Sequence, residues 1–359
     1  MKYKGVYVDS ITQAALGVSV AAVVAGRHCK PKTLLAGAAL GTLPDLDVFI
    51  SYGDPISDTV KHRGFSHSLF VLLPFSLLLT ALWARFRPNV LSFSRLWLLI
   101  AACLLTHPLL DSFTTYGTQL FWPLDVSVAI SSIFIIDPLY TLPLLVMLIA
   151  SLLWQEKMAK LCGVGLLISS CYLVWSVAVY SIINQRVHDE VKNTPLVNKP
   201  IFISPTPFNT VLWRIIILDG NKYYEGFSSL LDSKKNGEYP IQWAQRERGS
   251  WPLKQTSVHV DDLKKFSNNY IQYKIIDDQL VVTDLRLGLI EYLPFRFVVA
   301  KLTPQKDWQL IHPIKIEERK VKPKHLLALW LRLLGNQDVN ADLCHINECP
   351  LVTTTQGQK

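Results

Sequence analysis

Hydrophobic and polar positions divide this chain near residue 185. Before that point run long apolar stretches such as SLFVLLPFSLLLTALW (68–83) and LWLLIAACLL (96–105), and after it the mixed polarity is that of a globular domain. Six apolar segments are expected, at about 11–26, 34–43, 68–84, 96–111, 130–154 and 161–183. The last four approach the roughly 20 residues that cross a hydrocarbon core. The first two are short and rich in Ala, Gly and Ser, which suits the interior of a bundle, where small residues let helix backbones approach closely. They form either two crossings or a partly re-entrant pair. Asp9 and Ser10 mark the start of the first helix, and Pro138 and Pro143 predict a bend in the fifth. The first apolar stretch runs straight into the second without a convincing cleavage site, so it is expected to stay as a membrane segment.

Beyond Ile183 a polar linker, NQRVHDEVKNTP, leads to short runs rich in β-branched and aromatic residues: VLWRIIIL (211–218), YIQYKIID (270–277), QLVVTDLRL (279–287) and FRFVVAKL (295–302). Turn formers such as Asp219-Gly220 and Asp277-Asp278 separate them, which predicts an antiparallel sheet. HLLALWLRLL (325–334) reads as an amphipathic helix that packs on the sheet or on the membrane surface. The expected architecture is therefore an α-helical polytopic membrane bundle followed by a β-rich (α+β) soluble domain. Its parts are a membrane domain at 1–184, a linker at 185–199, a β-rich domain at 200–340 and a tail at 341–359, polar and loose from Val352.

Composition agrees: 50% hydrophobic residues and a mean hydropathy of +0.25 are too apolar for an ordinary soluble protein. The net charge of +8 is scattered, without a basic stripe interleaved with aromatics, which argues against nucleic acid as a partner. Its distribution gives an orientation instead. Arg27, Lys30 and Lys32 mark the first loop, Arg85, Arg87 and Arg95 the third, and Lys157 and Lys160 the fifth, as cytoplasmic. The second loop (44–67), with four aspartates against Lys61 and Arg63, and the fourth (112–129), with Asp125 and no basic residue, fall outside together with the β-rich domain. Lys2 and Lys4 count against this orientation. An extracytoplasmic domain is compatible with a Cys344–Cys349 disulfide, whereas Cys29, Cys103, Cys162 and Cys171 read as small apolar fillers.

The candidate chemistry lies in three places. Asp45 and Asp47 follow Pro44, and two carboxylates so close repel unless a cation sits between them. His62 and His67 bracket a turn, KHRGFSHS, in which Gly64 is free to turn left-handed. His107 and Asp111 are one helical turn apart on one face. Read singly, these are a helix terminus, two loop histidines and a hydrogen-bonded pair. Read together, hard oxygen plus imidazole on one side of the membrane suits zinc, with manganese or iron second, and such mixed ligation with open positions is the catalytic pattern. Asp137 is a candidate general base or a helix cap. Arg63 and Lys61 are candidate holders of an anionic group, and Thr114, Thr115 and Tyr116 offer supporting hydroxyls.

Asp9-Ser-Ile-Thr-Gln13, GTLPDLD (41–47), HRGFSHS (62–68), HPLLDSFTTYGT (107–118) and DPLY (137–140) occur in the order found in a bacterial family. Through them residues 5–185 resemble the inner-membrane, membrane-bound metal-dependent hydrolases related to a LexA-regulated inner-membrane protein. More distantly, the ligand order resembles that of zinc-dependent phospholipase C. The resemblance implies that Asp47 or Asp45, His62 or His67, His107 and Asp111 bind a divalent metal in the bacterial inner membrane. It also implies hydrolysis by metal-activated water. The chain departs from the family pattern at Gln13, where many relatives carry histidine. A site at the bilayer surface points to a lipid-like or phosphoester substrate. The rival expectations are a metal-stabilised scaffold without activity and a transporter, the latter disfavoured because the polar residues cluster at segment ends.

Overall fold

The computed structural model describes residues 6–86, 91–235, 237–290, 292–317 and 321–344, with side chains from residue 10 onward. Seven helices come first: α1 Val6–Ala25, α2 Pro31–Thr42, α3 Pro55–Lys61, α4 Leu69–Phe86, α5 Phe93–Asp111, α6 Pro138–Leu153 and α7 Met158–Val191. Then follow β1 Ile201–Pro205, β2 Leu212–Asp219, β3 Lys222–Ser229, β4 Ala244–Glu247, α8 Val258–Phe266, β5 Ile271–Ile276, β6 Gln279–Asp284, β7 Arg296–Leu302, β8 Trp308–Lys315 and α9 Pro323–Leu333. The chain forms two compact units. The first holds residues 1–51, 61–177 and 207–209, and the second holds 52–60, 178–206 and 210–359.

In the first unit α1, α4, α5 and α7 belong to the four segments long and apolar enough to cross a membrane. α4 turns Leu77, Leu78, Leu82 and Trp83 outward, as a lipid-facing helix does. α1 is packed inside, its Ala15, Leu16, Val20 and Ala21 against Leu99, Ile100, Cys103 and Leu104 of α5. α2 has 12 residues and so reaches about 18 Å, short of the ~30 Å core, which favours the re-entrant alternative. The small residues act as expected. A Cβ on Gly41 would lie 2.6 Å from the Gln13 carbonyl, and one on Gly37 would lie 2.6 Å from the Ala21 Cβ, so α1 and α2 meet backbone to backbone. Two local expectations need correction. α1 begins at Val6, placing Asp9 and Ser10 inside its first turns, and Pro138 opens α6 at its first position instead of bending it, leaving only Pro143 within the helix.

The second unit has two antiparallel four-stranded sheets, ordered β1-β2-β3-β4 and β5-β6-β7-β8, where the sequence pattern predicted one. The expected linker at 185–199 is also corrected, because α7 continues as helix to Val191. Its polar composition hides a four-residue apolar repeat. Val179, Ile183, Val187 and Val191 form one buried stripe against Trp213, Ile215 and Ile217 of β2. Residues 52–60 join this unit through Ile56, which is fully buried among Val260, Leu263, Ile271, Leu280 and Phe297. Asp54 caps α3 by accepting from the Ile56 and Ser57 amides, and lies 3.2 Å from His259. The expected tail starts too early as well, since Ala341 and Leu343 are buried. Cys344 is disulfide-bonded, while Cys349 and the segment from Val352 lie outside the described residues.

The charged centre of this unit is Glu225, fully buried and held at 2.6 Å by both Arg214 and Arg246. Burial raises the Glu225 carboxyl, but the two guanidinium groups outweigh it and hold it below the usual glutamate range. Removing one charge of such a set strands the others, so Glu225→Gln is expected to cost about 3–5 kcal/mol, read from denaturant melts of the full chain in detergent. Because the folded carboxyl titrates below its unfolded value, its contribution is complete above the ordinary glutamate range and is lost as the pH falls through the lower, folded value. Acidification below about pH 4 should therefore destabilise the wild type more than Glu225→Gln.

Candidate metal centre

The site is assembled from three pieces of the first unit. Asp45 and Asp47 sit on the 3-10 turn Pro44–Phe49 that follows α2, and His67 ends the 3-10 turn Phe65–His67 before α4. His107 and Asp111 close α5, four residues apart on one face. Asp45, His67, His107 and Asp111 are all buried and each offers one donor atom to a common point. The two histidine Nε2 atoms are 3.1 Å apart. Asp45 Oδ1 lies 3.3 Å from His67 Nε2 and 3.2 Å from His107 Nε2, and Asp111 Oδ2 lies 3.3 and 3.4 Å from the same two atoms. All four atoms lie within 4.8 Å of one another, the scale of a cage around one ion bound at about 2 Å.

The surrounding hydrogen bonds fix which atoms carry protons. His107 Nδ1 lies 2.5 Å from the Gly41 carbonyl, which can only accept, so Nδ1 carries a proton and Nε2 is the ring atom turned to the centre. Ser66 donates its hydroxyl proton to Asp47 Oδ2 at 2.6 Å, so at 2.9 Å it must accept from His67 Nδ1. Both rings therefore turn their Nε2 atoms toward two carboxylate oxygens. Two ring nitrogens and two carboxylate oxygens meeting at one spot call for positive charge there, as ring protons or as a cation between them. Asp45 Oδ1 and Asp111 Oδ2 have no hydrogen-bond donor, as befits atoms facing a cation.

The outer ring holds these donors in place. Gln13 Nε2 donates to Asp111 Oδ1 at 2.9 Å and Arg63 Nη2 approaches the same oxygen at 3.3 Å, which leaves Oδ2 for the centre. The departure from histidine at position 13 thus supplies a support for Asp111. Arg63 also donates to Thr114 at 3.2 Å and stacks on Tyr116 at 5.2 Å, and Thr114 in turn donates to the Asp111 carbonyl. Buried to 2% exposure, the Arg63 side chain positions Asp111, not the surface anion holder that its place beside Lys61 suggested. Burial raises the Asp45 carboxyl, but His107, His67 and Arg63 together bring it well below the ordinary value, and His62, His67 and Ser66 do the same for Asp47.

Asp47 and His62 stand one step back. With Asp45 they form a second group of donors, but the Asp47 Oδ1 to His62 Nδ1 separation of 2.8 Å is that of a hydrogen bond. Asp47 also accepts from the Arg63 amide, so it ties both histidines to one carboxylate. His62, at 22% side-chain exposure, is the most open member. The turn expected at Gly64 is made by Arg63, which takes φ 62°, while Gly64 adopts φ −90° and ψ −114°, with a Cβ there 2.8 Å from the Lys61 carbonyl. Asp137 is not among the converging residues. It caps α6 through the Leu139 amide and accepts from Tyr172 at 2.9 Å, and Asp125 is exposed. Sequence reasoning overlooked Ser66, whose only signal is its place immediately before His67.

Residues 8–183 match the model of the family described as YdjM inner membrane protein. The chain is 36% identical over 114 residues to inner membrane protein YbcI of Escherichia coli strain K12, covering 31% of this chain and 64% of that protein. It is 26% identical over 199 residues to uncharacterized protein YfhP of Bacillus subtilis strain 168, covering 54% of this chain and 58% of the relative. The chain thus spans about three fifths of the length of these curated relatives. No solved structure matches it. Residues 8–183 are thus similar to a family of bacterial inner-membrane proteins.

Proposed function

We propose that this chain is a multi-pass protein of the bacterial inner membrane that binds a divalent cation in its four-donor cage and hydrolyses an ester or phosphoester of a lipid-like substrate. The carrying observation is the set of donor separations of 3.1–3.4 Å between two imidazoles and two carboxylates. Zinc fits this donor chemistry first, manganese or iron second. When bound, the ion would polarise the scissile bond and draw the pKa of a water toward neutrality. Asp45, whose side chain is 10% exposed, and the neighbouring Asp47–His62 pair form the side from which water and substrate enter. Asp47 orients His62 through Nδ1, which leaves Nε2 as the ring atom able to take up a proton. The basic third and fifth loops support an extracytoplasmic centre and β-rich domain.

One observation favours a second reading. All four cage donors come from the protein and none has a side chain more than 10% exposed, the closed pattern of a structural ion. Transport fits less well, because Asp111 ends α5 and Asp45 lies just beyond α2, away from mid-helix positions.

Metal analysis of the purified chain in detergent should find bound divalent ion in the wild type and loss of it in His107→Ala and Asp111→Ala. Unchanged content in both variants defeats the assignment. Ser66→Ala should retain the fold while weakening metal affinity about 10–100-fold by freeing the His67 ring, measured by competition with a chelating dye. Chelation should abolish turnover of a fluorogenic phosphoester or phospholipid and restoring zinc should recover it. A chelated protein that merely melts at lower temperature, with no turnover in either state, supports the structural ion.

A further inference from the structure

Helix α9 packs on its unit with its polar side inward. Arg332 is buried, bonded to Asp232 and to the Phe227 carbonyl, and His325 Nδ1 lies 2.9 Å from the Tyr292 hydroxyl. Ala328, Leu329 and Leu333 complete that side against Leu212, Phe227 and Leu289. On a helix advancing by 3.6 residues per turn, the opposite side carries Leu326, Leu327, Trp330, Leu331 and Leu334. These are 55%, 61%, 58%, 38% and 53% exposed. A surface helix in water does the reverse, turning its apolar stripe to the core.

We infer that this face docks on the lipid bilayer, lying at the boundary between headgroups and acyl chains. The chain already carries four membrane-length helices, and one of them, α7, passes into the second unit without a break, its residues from Ala178 on belonging to that unit. An outward apolar stripe with a central tryptophan is the composition of an interfacial helix. Charge at its rim agrees with anionic headgroups. Exposed Lys322 and Lys324 stand at the start of α9, and beyond its end Gly335 packs on Leu231, itself 54% exposed and followed closely by Lys234 and Lys235.

The test uses the full chain in lipid nanodiscs holding one copy each, in phosphatidylcholine with or without phosphatidylglycerol, and lipids brominated near the headgroup end of the acyl chain. The emission of Trp330 is taken as the difference between wild type and Trp330→Phe, a replacement at an exposed position, from the total of ten tryptophans. Bilayer docking expects that difference to be blue-shifted and reduced by more than about half by the brominated lipids, more so with phosphatidylglycerol. Leu327→Glu should cancel the quenching while leaving the protein folded by circular dichroism. An unquenched, water-exposed Trp330 overturns the inference. So does a Trp330 that is shielded only when two copies share a disc, since the partner would then be a second copy of the chain.

Discussion

Two imidazole nitrogens and two carboxylate oxygens directed at a single point are the constraint to which the first unit is fitted. His67 and His107 present their Nε2 atoms because their other nitrogens are satisfied, one by the adjacent Ser66 hydroxyl and the other by the Gly41 carbonyl from far along the chain. The Gly41 carbonyl reaches His107 because α1 and α2 pack through glycine, so the small-residue seam and the donor set belong to one arrangement. Asp111 is held by Gln13 from α1 and by Arg63 from the loop before α4. Packing, backbone shape and proton placement therefore converge on the same few cubic ångströms.

The two units treat buried charge in different ways. In the second, Glu225 meets Arg214 and Arg246, and Asp232 meets Arg332, so acids are neutralised by guanidinium groups of the same chain. In the first, Asp45, Asp47 and Asp111 face imidazoles and the single guanidinium of Arg63. With the rings neutral, as metal ligation requires, three negative charges against one positive leave a deficit of two, the charge of one divalent cation. The contrast separates a set of residues serving stability from a set shaped around something bound.

Much of this was legible from residue order. The HxxxD spacing at 107 and 111 follows from helical geometry alone, and the apolar segments from their length and composition. The left-handed turn was assigned to Gly64 because glycine is the default there, yet Arg63 adopts it, since three hydrogen-bonding partners for its backbone and side chain outweigh the local preference. β1, β3, β4 and β8 escaped notice because strands such as KYYEGFSS lack a clear alternation and gain their burial from neighbours distant in sequence. The helix through 185–191 was masked by polar residues filling three of every four positions, with only Val187 and Val191 continuing the stripe begun at Val179. Ser66 and Gln13 act by orienting other residues, and nothing in a single sequence marks such a role.

Residues 52–60 belong to the second unit although the chain on both sides of them belongs to the first. Ile56 is buried in a cluster with residues some 200 positions further on, so the segment joining Asp47 to His62 stays unfinished until those residues have been synthesised. A nascent chain halted after α7 would leave that isoleucine in water and its two flanking site residues joined by a slack loop. The segment between two residues of the polar centre is thereby completed only after the strands that bury Ile56 have been made, so a local fold near the start of the chain waits on residues far along it.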